Sequence, residues 1–353
     1  MPLLEIATMA AIRRVAFMKG PGNGLEVTSA DALQARPNEV LIRNHAVALQ
    51  PLDAKTLLAG YGPAAKLNYP AVLGTSGAGV IQEVGEGVDG LSVGDRVVFD
   101  TKAYVDIEEN RRTGTWQEVV ACDTKSVAKS GLTFEQIGDV AFEQAVLVDF
   151  PLQTAVAALH VFLGMGKPGS GNKEEKVLIW GAGGAVGSYA VQYAKQVGFT
   201  VVTTASPRDN ERQQKLGATH VVDYRAADVV DKLRQLGPYK YLFTASGDAA
   251  SQKALATLVQ PTGGKFASVL PSTAELPSNV DIIYDAFSQA AQKEQYSDWR
   301  DWWYQEYLPE VLSKGLESVK FTKVEGGLSA LQQASEDVFN GKVKGKVVIN
   351  PQD

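Results

Sequence analysis

Lys176-Val-Leu-Ile-Trp180, running straight into Gly181-Ala-Gly-Gly-Ala-Val-Gly187, decides how this chain is read. The first five residues form an apolar run of the length of a buried strand, the next seven a glycine-rich turn, and a helical pattern follows. Val186, Ala190, Tyr193, Ala194 and Val197 repeat at the helical period, and Gly198 ends the run. Strand, glycine turn and helix in this order suit a nucleotide. Glycines where a Cβ would collide let backbone N–H groups approach a pyrophosphate, and the helix N-terminus adds partial positive charge. The last glycine, Gly187, falls one residue later than in the G-x-G-x-x-G spacing. A strand-to-helix turn without a ligand is the other reading, so the neighbouring segments have to discriminate.

Thr200-Val-Val-Thr-Thr-Ala205 is a second strand. About 20 residues past the turn, where dinucleotide sites place an acid for the ribose, stand Ala205 and Ser206, followed by Pro207, Arg208 and Asp209. No carboxylate waits for a 2′-hydroxyl and a guanidinium is available for a 2′-phosphate, which points to NADP(H). Arg208 read instead as a solvated surface arginine would leave that choice open.

The 353 residues and 37.8 kDa are enough for two domains with separate cores. Hydrophobic residues at 45% and charged residues at 21% are ordinary for a soluble globular enzyme. A net charge of -6 with no basic cluster argues against a nucleic-acid partner. The single cysteine, Cys122, excludes intramolecular disulfides and multi-cysteine metal sites, and it agrees with a reducing, cytoplasmic setting. At the N-terminus Glu5 comes early and Arg13-Arg14 follow the apolar residues, unlike a signal peptide. The apolar stretch Ala145 to Met165 is interrupted by Asp149, Pro151, Gln153 and His160, as a core helix and not a membrane span would be.

Residues 1 to about 144 read as strands and turns, an irregular, barrel-like β region with strands at Val40 to His45 and Val93 to Phe99. From about 152 strands and helices alternate: Lys176 to Trp180, Thr200 to Ala205, His220 to Tyr224, Tyr241 to Ser246, Lys265 to Leu270 and Asp281 to Tyr284, with helices such as Asp209 to Leu216 between them. That alternation predicts βαβ units and a parallel sheet wound on both faces, an α/β fold. The expected division is 1–151, 152–289 and a closing segment 290–353.

Several separated segments resemble the medium-chain dehydrogenase/reductase family: Gln50-Pro-Leu-Asp-Ala-Lys55, Gly74-Thr-Ser-Gly-Ala-Gly-Val80, Val84-Gly-Glu-Gly-Val88, Gly94-Asp-Arg-Val97, the glycine turn, Lys215-Leu-Gly-Ala218 with Val222-Asp-Tyr224, and Gly341-Lys-Val-Lys-Gly-Lys-Val347. The resemblance implies a GroES-like barrel carrying the catalytic groups, a Rossmann cofactor domain, and a C-terminal return to the first. Zinc members of the family carry Gly-His-Glu where this chain has Gly74-Thr75-Ser76, and further cysteines that are absent here. The resemblance therefore moves to the zinc-free branch, the quinone and enoyl reductases, and most closely to fungal enoyl reductases that act in trans with polyketide synthases. It implies NADPH contacts at Gln50, Pro51, Leu52, Asp53, Gly183, Gly184, Ala185, Val186, Ser206, Pro207, Arg208, Asp209, Tyr224, Leu270, Val343 and Lys344. Substrate contacts would follow Phe142, Glu143, Gln144, Ala145, Val146, Leu147, Val148 and Asp149, and Tyr284, Asp285, Ala286, Phe287 and Ser288. Val148-Asp149 stands where relatives have a proline-rich turn.

Reduction of an activated alkene asks for a nicotinamide over the β-carbon, a donor for the enolate oxygen, and a proton for the α-carbon. Lys55 is the first candidate donor and Tyr61 the second. A surface lysine, or one paired with Asp53, is the plain alternative for Lys55. Expected, then, is a metal-free NADPH-dependent enoyl reductase acting on a thioester or ketone, with a carrier-bound polyketide intermediate as substrate. The alternatives are a general quinone or enone reductase, and a cofactor-binding synthase partner that has lost or changed its chemistry. Monomer and homodimer are both compatible with the sequence.

Overall fold

The computed structural model describes residues 12–129, 141–272 and 274–353; the N-terminal stretch weighed above as a signal peptide lies largely outside them. The chain divides into two compact units. One holds the residues up to Leu147 together with Arg300–Lys314 and Lys320–Asp353, the other Val148–Trp299 and Gly315–Val319.

In the first unit β1 (Ile12–Met18), β2 (Leu25–Asp31), the short β4 (Ala71–Val72) and β3 (Glu39–Leu49) open the fold. A three-stranded sheet runs β2-β1-β4. The larger, seven-stranded sheet adds β5 (Ser76–Val84), β6 (Arg96–Asp100), β7 (Val119–Asp123) and β8 (Val127–Lys129), and β15 (Phe321–Val324) and β16 (Lys346–Ile349) close it from the far end of the chain. Its order is β15-β16-β3-β5-β6-β8 with β7 also on β3. Gly79 explains how tightly β5 passes β3: a Cβ there would stand 2.0 Å from the Arg43 carbonyl oxygen. Val40, Ile42, Ile81, Val97, Phe99, Val120 and Cys122 fill one buried cluster of this sheet.

A helix interrupts the stretch expected to be strands and turns: α1 (Pro51–Ala59). Its start is set by proline at the first helical position and by Asp53, whose Oδ2 accepts the Gln50 N–H at 3.0 Å; Gly60, at φ 64°, stops it in the left-handed region. The sequence signal was missed because this cap uses Gln and Asp and not the Ser/Thr-x-x-Glu pattern.

The second unit is a six-stranded parallel sheet of order β11-β10-β9-β12-β13-β14, with β9 (Lys176–Trp180), β10 (Thr200–Ala205), β11 (His220–Asp223), β12 (Tyr241–Thr244), β13 (Gly264–Ser268) and β14 (Val280–Ile283). Val177, Leu178, Ile179 and Trp180 are all buried, as expected of a strand covered on both faces. From β9 the chain moves first to β10 on one side and later to β12 on the other, so the sheet reverses direction at β9. Ligands of such sheets bind at the strand C-termini at that reversal.

The helical run Phe142–Phe162 is long and apolar enough to cross a membrane by composition, but 78% of its most apolar window is buried within the protein. Its last turn, Ala157–Phe162, is a π-helix, and His160 Nδ1 lies 2.6 Å from the Met165 carbonyl oxygen, a structural contact. The five residues Gly315–Val319 return to the second unit, where the Glu317 N–H donates to Gln192 Oε1 at 3.0 Å and Gln192 Nε2 donates to Glu317 O at 3.2 Å.

Candidate active site

The glycine turn of the second unit is shaped by what its glycines exclude. Gly181 holds φ 88°, and a Cβ on Gly187 would stand 2.3 Å from the Gly181 carbonyl oxygen, so both positions demand glycine. Gly184, the N-cap of the thirteen-residue helix Ala185–Val197, has nothing within 4 Å of where a Cβ would be, and Gly183 meets only Asp209 Oδ2 at 3.8 Å. Exposed glycines at the start of a long helix, three and four residues past the strand end, leave room for a pyrophosphate.

Beside this turn, past the end of β10, Ser206 Oγ donates to Asp209 Oδ2 at 2.9 Å and Arg208 Nε lies 3.8 Å from the same oxygen. The Arg208 side chain is 78% exposed, and so remains open to a ligand. Tyr224 follows β11, whose Asp223 pairs with Ala205 of β10; the ring is 41% exposed with the Arg225 guanidinium 5.1 Å from its centre. Gly183, Gly184, Ser206, Arg208, Asp209 and Tyr224 therefore gather at the C-terminal ends of β9, β10 and β11. On the other side of β9, Leu270 follows β13, and its N–H is 2.9 Å from where a Gly247 Cβ would be. Neither Ala185 nor Val186 is fully buried, in keeping with the open helix start.

In the first unit the structure assembles a cluster that no spacing announced. The Tyr104 hydroxyl donates to Asp53 Oδ1 at 2.6 Å and accepts the Gly74 N–H at 2.8 Å. The Lys346 ammonium donates to Gln50 Oε1, and Gln50 Nε2 donates to Ala48 O at 3.0 Å. Burial pushes the Asp53 carboxyl up to about 6, against the opposing pull of Tyr104, the Gln50 N–H and Lys346. Burial likewise lowers Lys346 to about 8 despite the nearby Asp53 charge, and lifts Tyr104 well above the ordinary phenol range. Gln50 and Asp53 thus face inward, while Pro51 is exposed and Leu52 half-buried. Lys346 carried one signal in the sequence, a cation at the head of the apolar run Val347-Val348-Ile349; Tyr104 carried none. Val343 packs at the edge of the neighbouring core and Lys344 is exposed.

Lys55 makes no ion pair with Asp53. Its ammonium lies 5.5 Å from the centre of the Tyr61 ring, which is 40% exposed. The two expected substrate runs are mostly engaged in packing. Phe142 stacks on His45 with ring centres 5.0 Å apart, and the Arg96 guanidinium lies 3.7 Å from the Phe142 ring centre. Burial lowers the His45 pKa, with Arg43 and Arg96 adding to it. Glu143 pairs with Lys323 at 3.2 Å, Gln144 is exposed, and Ala145, Val146, Leu147, Val148 and Asp149 are buried. In the second unit Tyr284 is 45% exposed, Asp285 pairs with Lys293 at 2.6 Å, Ala286 is exposed, Phe287 packs edge-on against Phe162 at 5.0 Å, and Ser288 is buried.

Thr75 and Ser76 are buried in the turn after Gly74, and Cys122 is buried in β7 with its sulfur near the carbonyls of Asp100 and Asp123. Hydroxyls in place of imidazole and thiolate do not fit zinc. Among the described residues no group of three His, Cys, Asp or Glu side chains could hold a metal ion.

Comparison with known proteins matches residues 36–132 to the "Alcohol dehydrogenase GroES-like domain" family and residues 185–293 to the "Zinc-binding dehydrogenase" family. The chain is 30% identical over 356 residues to "Trans-enoyl reductase tndF" of Aspergillus flavipes, covering 97% of this chain and 99% of that protein. It belongs to the medium-chain dehydrogenase/reductase family of oxidoreductases. A second relative in this family, "Trans-enoyl reductase tazE" of Aspergillus terreus, is 35% identical over 276 residues, 75% of this chain and 87% of that protein. The medium-chain dehydrogenase/reductase fold is matched by an alcohol dehydrogenase superfamily protein from Novosphingobium aromaticivorans, with TM-score 0.78 and 22% identity over 96% of this chain and 99% of that one. Escherichia coli quinone oxidoreductase, solved with NADPH, matches with TM-score 0.72 and 21% identity over 97% of this chain and 100% of that one. The first unit is thus the GroES-like part of the family fold, and the parallel sheet its Rossmann-type part.

Proposed function

We propose that the protein is an NADP(H)-dependent, zinc-independent enoyl reductase that reduces the carbon–carbon double bond of an α,β-unsaturated thioester or ketone, acting in trans on a carrier-bound polyketide intermediate. The observation that carries this reading is the full-length likeness to a trans-enoyl reductase, in a chain whose Gly74-Thr75-Ser76 turn lacks zinc donors. The bound nicotinamide would supply hydride. The exposed glycines Gly183 and Gly184 at the helix start would bind the pyrophosphate, Ser206, Arg208 and Tyr224 the 2′-phosphate, and the turn with the exposed Pro51 and half-buried Leu52 the nicotinamide end. Lys55 would donate to the carbonyl oxygen as negative charge builds there, and Tyr61 would hold its ammonium over the ring face. The setting proposed is cytoplasmic, with a polyketide synthase as partner.

The test is turnover of purified protein with NADPH and three acceptors: an enoyl thioester, a simple enone and a simple quinone, followed by loss of nicotinamide absorbance. Thioester reduction with the highest kcat/KM supports the reading. A quinone turning over much faster than the thioester would replace it with a general quinone reductase. Tight NADPH binding with no turnover of any acceptor would replace it with a cofactor-binding synthase partner.

A further inference from the structure

Gln50 and Asp53 belong to the turn assigned above to the cofactor, yet neither side chain is available to a ligand. Gln50 spends its amide on Ala48 O and the Lys346 ammonium. Asp53 spends one oxygen on the Gln50 N–H at 3.0 Å and the other on the Tyr104 hydroxyl at 2.6 Å. Tyr104 passes the connection on to the Gly74 N–H at 2.8 Å. Three segments far apart in sequence, the head of β16, the first turn of α1 and the Gly74 turn, are tied through the buried Asp53 carboxyl and the half-buried Lys346 ammonium. Charged groups taken out of water cost free energy that apolar side chains of the same volume would not, so the arrangement calls for another use.

We propose that Tyr104 and Lys346 are positioning residues for the cofactor: by holding the Asp53 carboxylate and the Gln50 amide, they fix the Gln50–Asp53 turn in the arrangement that receives the nicotinamide end. The inference rests on the reading of that turn as a cofactor contact. An ionised Asp53 accepts charge-assisted hydrogen bonds from both the Gln50 N–H and the Tyr104 hydroxyl; protonation removes the charge from both bonds, which weakens them about twofold and loosens the hold on the turn. The titratable and charged groups that act on Asp53 are Tyr104 and Lys346, and both favour its ionised form. Cofactor affinity should therefore fall on the acid side, and removing either partner should move that fall to higher pH.

The experiment is the NADPH dissociation constant of the full chain, read by nicotinamide fluorescence from acid to mildly alkaline pH, for wild type, Tyr104→Phe, Lys346→Met and Lys346→Arg. The expected result is an acid limb in the wild type that moves up by about one pH unit in Tyr104→Phe and Lys346→Met, a roughly tenfold weaker affinity at a fixed acid pH. Lys346→Arg, which keeps the charge, should return to the wild-type limb. A limb at the same pH in both variants overturns the inference, as does Lys346→Arg behaving like Lys346→Met. Should Tyr104→Phe fail to fold, the two Lys346 variants decide. Wild type that binds no NADPH at any pH overturns the cofactor reading itself, whereas wild type that binds with pH-independent affinity overturns this inference alone.

Discussion

Tyr104 reaches Asp53 across 51 residues of sequence and donates to its Oδ1 at 2.6 Å, holding a buried carboxylate whose pKa burial has pushed up to about 6. A raised acid favours the folded state when protonated: its contribution is present below the ordinary carboxyl pKa and is lost as pH rises through 6. Lys346, lowered to about 8, contributes above its ordinary pKa, and that contribution is lost as pH falls through 8. Between about 6 and 8 both groups are charged and both costs are borne together. Asp53→Asn, which cannot ionise, removes the first of these dependences. In urea unfolding, the stability of wild type relative to Asp53→Asn should drop by about 2 kcal/mol between pH 4 and pH 7. A difference that stays level over that range would contradict the assignment.

Gly187→Ala brings a Cβ to 2.3 Å from the Gly181 carbonyl oxygen and 2.7 Å from the Ala182 Cα, both backbone atoms that cannot swing away. Overpacking of this kind costs about 1–3 kcal/mol. Expected are a lower unfolding free energy and at least tenfold weaker NADPH binding, whereas Gly184→Ala, with open space above it, should leave stability within about 0.5 kcal/mol.

Arg208 tests which coenzyme the protein prefers. A hydrogen bond to a charged group contributes about 1.5–3 kcal/mol, so Arg208→Ala should weaken NADPH binding by about 10- to 100-fold and leave NADH binding nearly unchanged. Equal losses for both coenzymes would mean that Arg208 does not recognise the 2′-phosphate.

Lys55→Met should lower kcat by about 10²–10³ while the NADPH dissociation constant stays the same, the mark of a donor that acts on developing charge. Tyr61→Phe retains the ring under the ammonium and should remain near wild type. If Tyr61→Phe were the slower variant, the hydroxyl and not the lysine would be the donor.

Dialysis against a chelator should leave turnover unchanged, and elemental analysis should find less than one zinc per several chains. Stoichiometric zinc would overturn the metal-independent reading.

The parts of this fold legible in the sequence were those written in local pattern. Lys176 to Trp180 and the glycines after it have strand, turn and helix signals that depend only on neighbours in the chain, and the parallel sheet followed from their repetition. Helix α1 escaped because Gln50 and Asp53 cap it with an uncommon residue pair, inside a region where strands surround it on both sides. Tyr104 and Lys346 escaped for a different reason. Their partners, Asp53 and Gln50, lie 51 and 296 residues away, and no periodicity carries information over such separations. The surroundings of Phe142 were not legible either: its ring stacks on His45 and meets the Arg96 guanidinium, which come from two different strands of the same unit.

Gly315–Val319 has a practical consequence for anyone exchanging parts between relatives. A gene fragment cut from Val148 to Trp299 would encode the six-stranded sheet without the short strap that Gln192 grips from both sides of Glu317. The fragment would expose the amide of Gln192 and leave a stripe of the Ala185–Val197 helix uncovered, inviting aggregation. A chimaera that keeps its solubility must carry those five distant codons along with the rest.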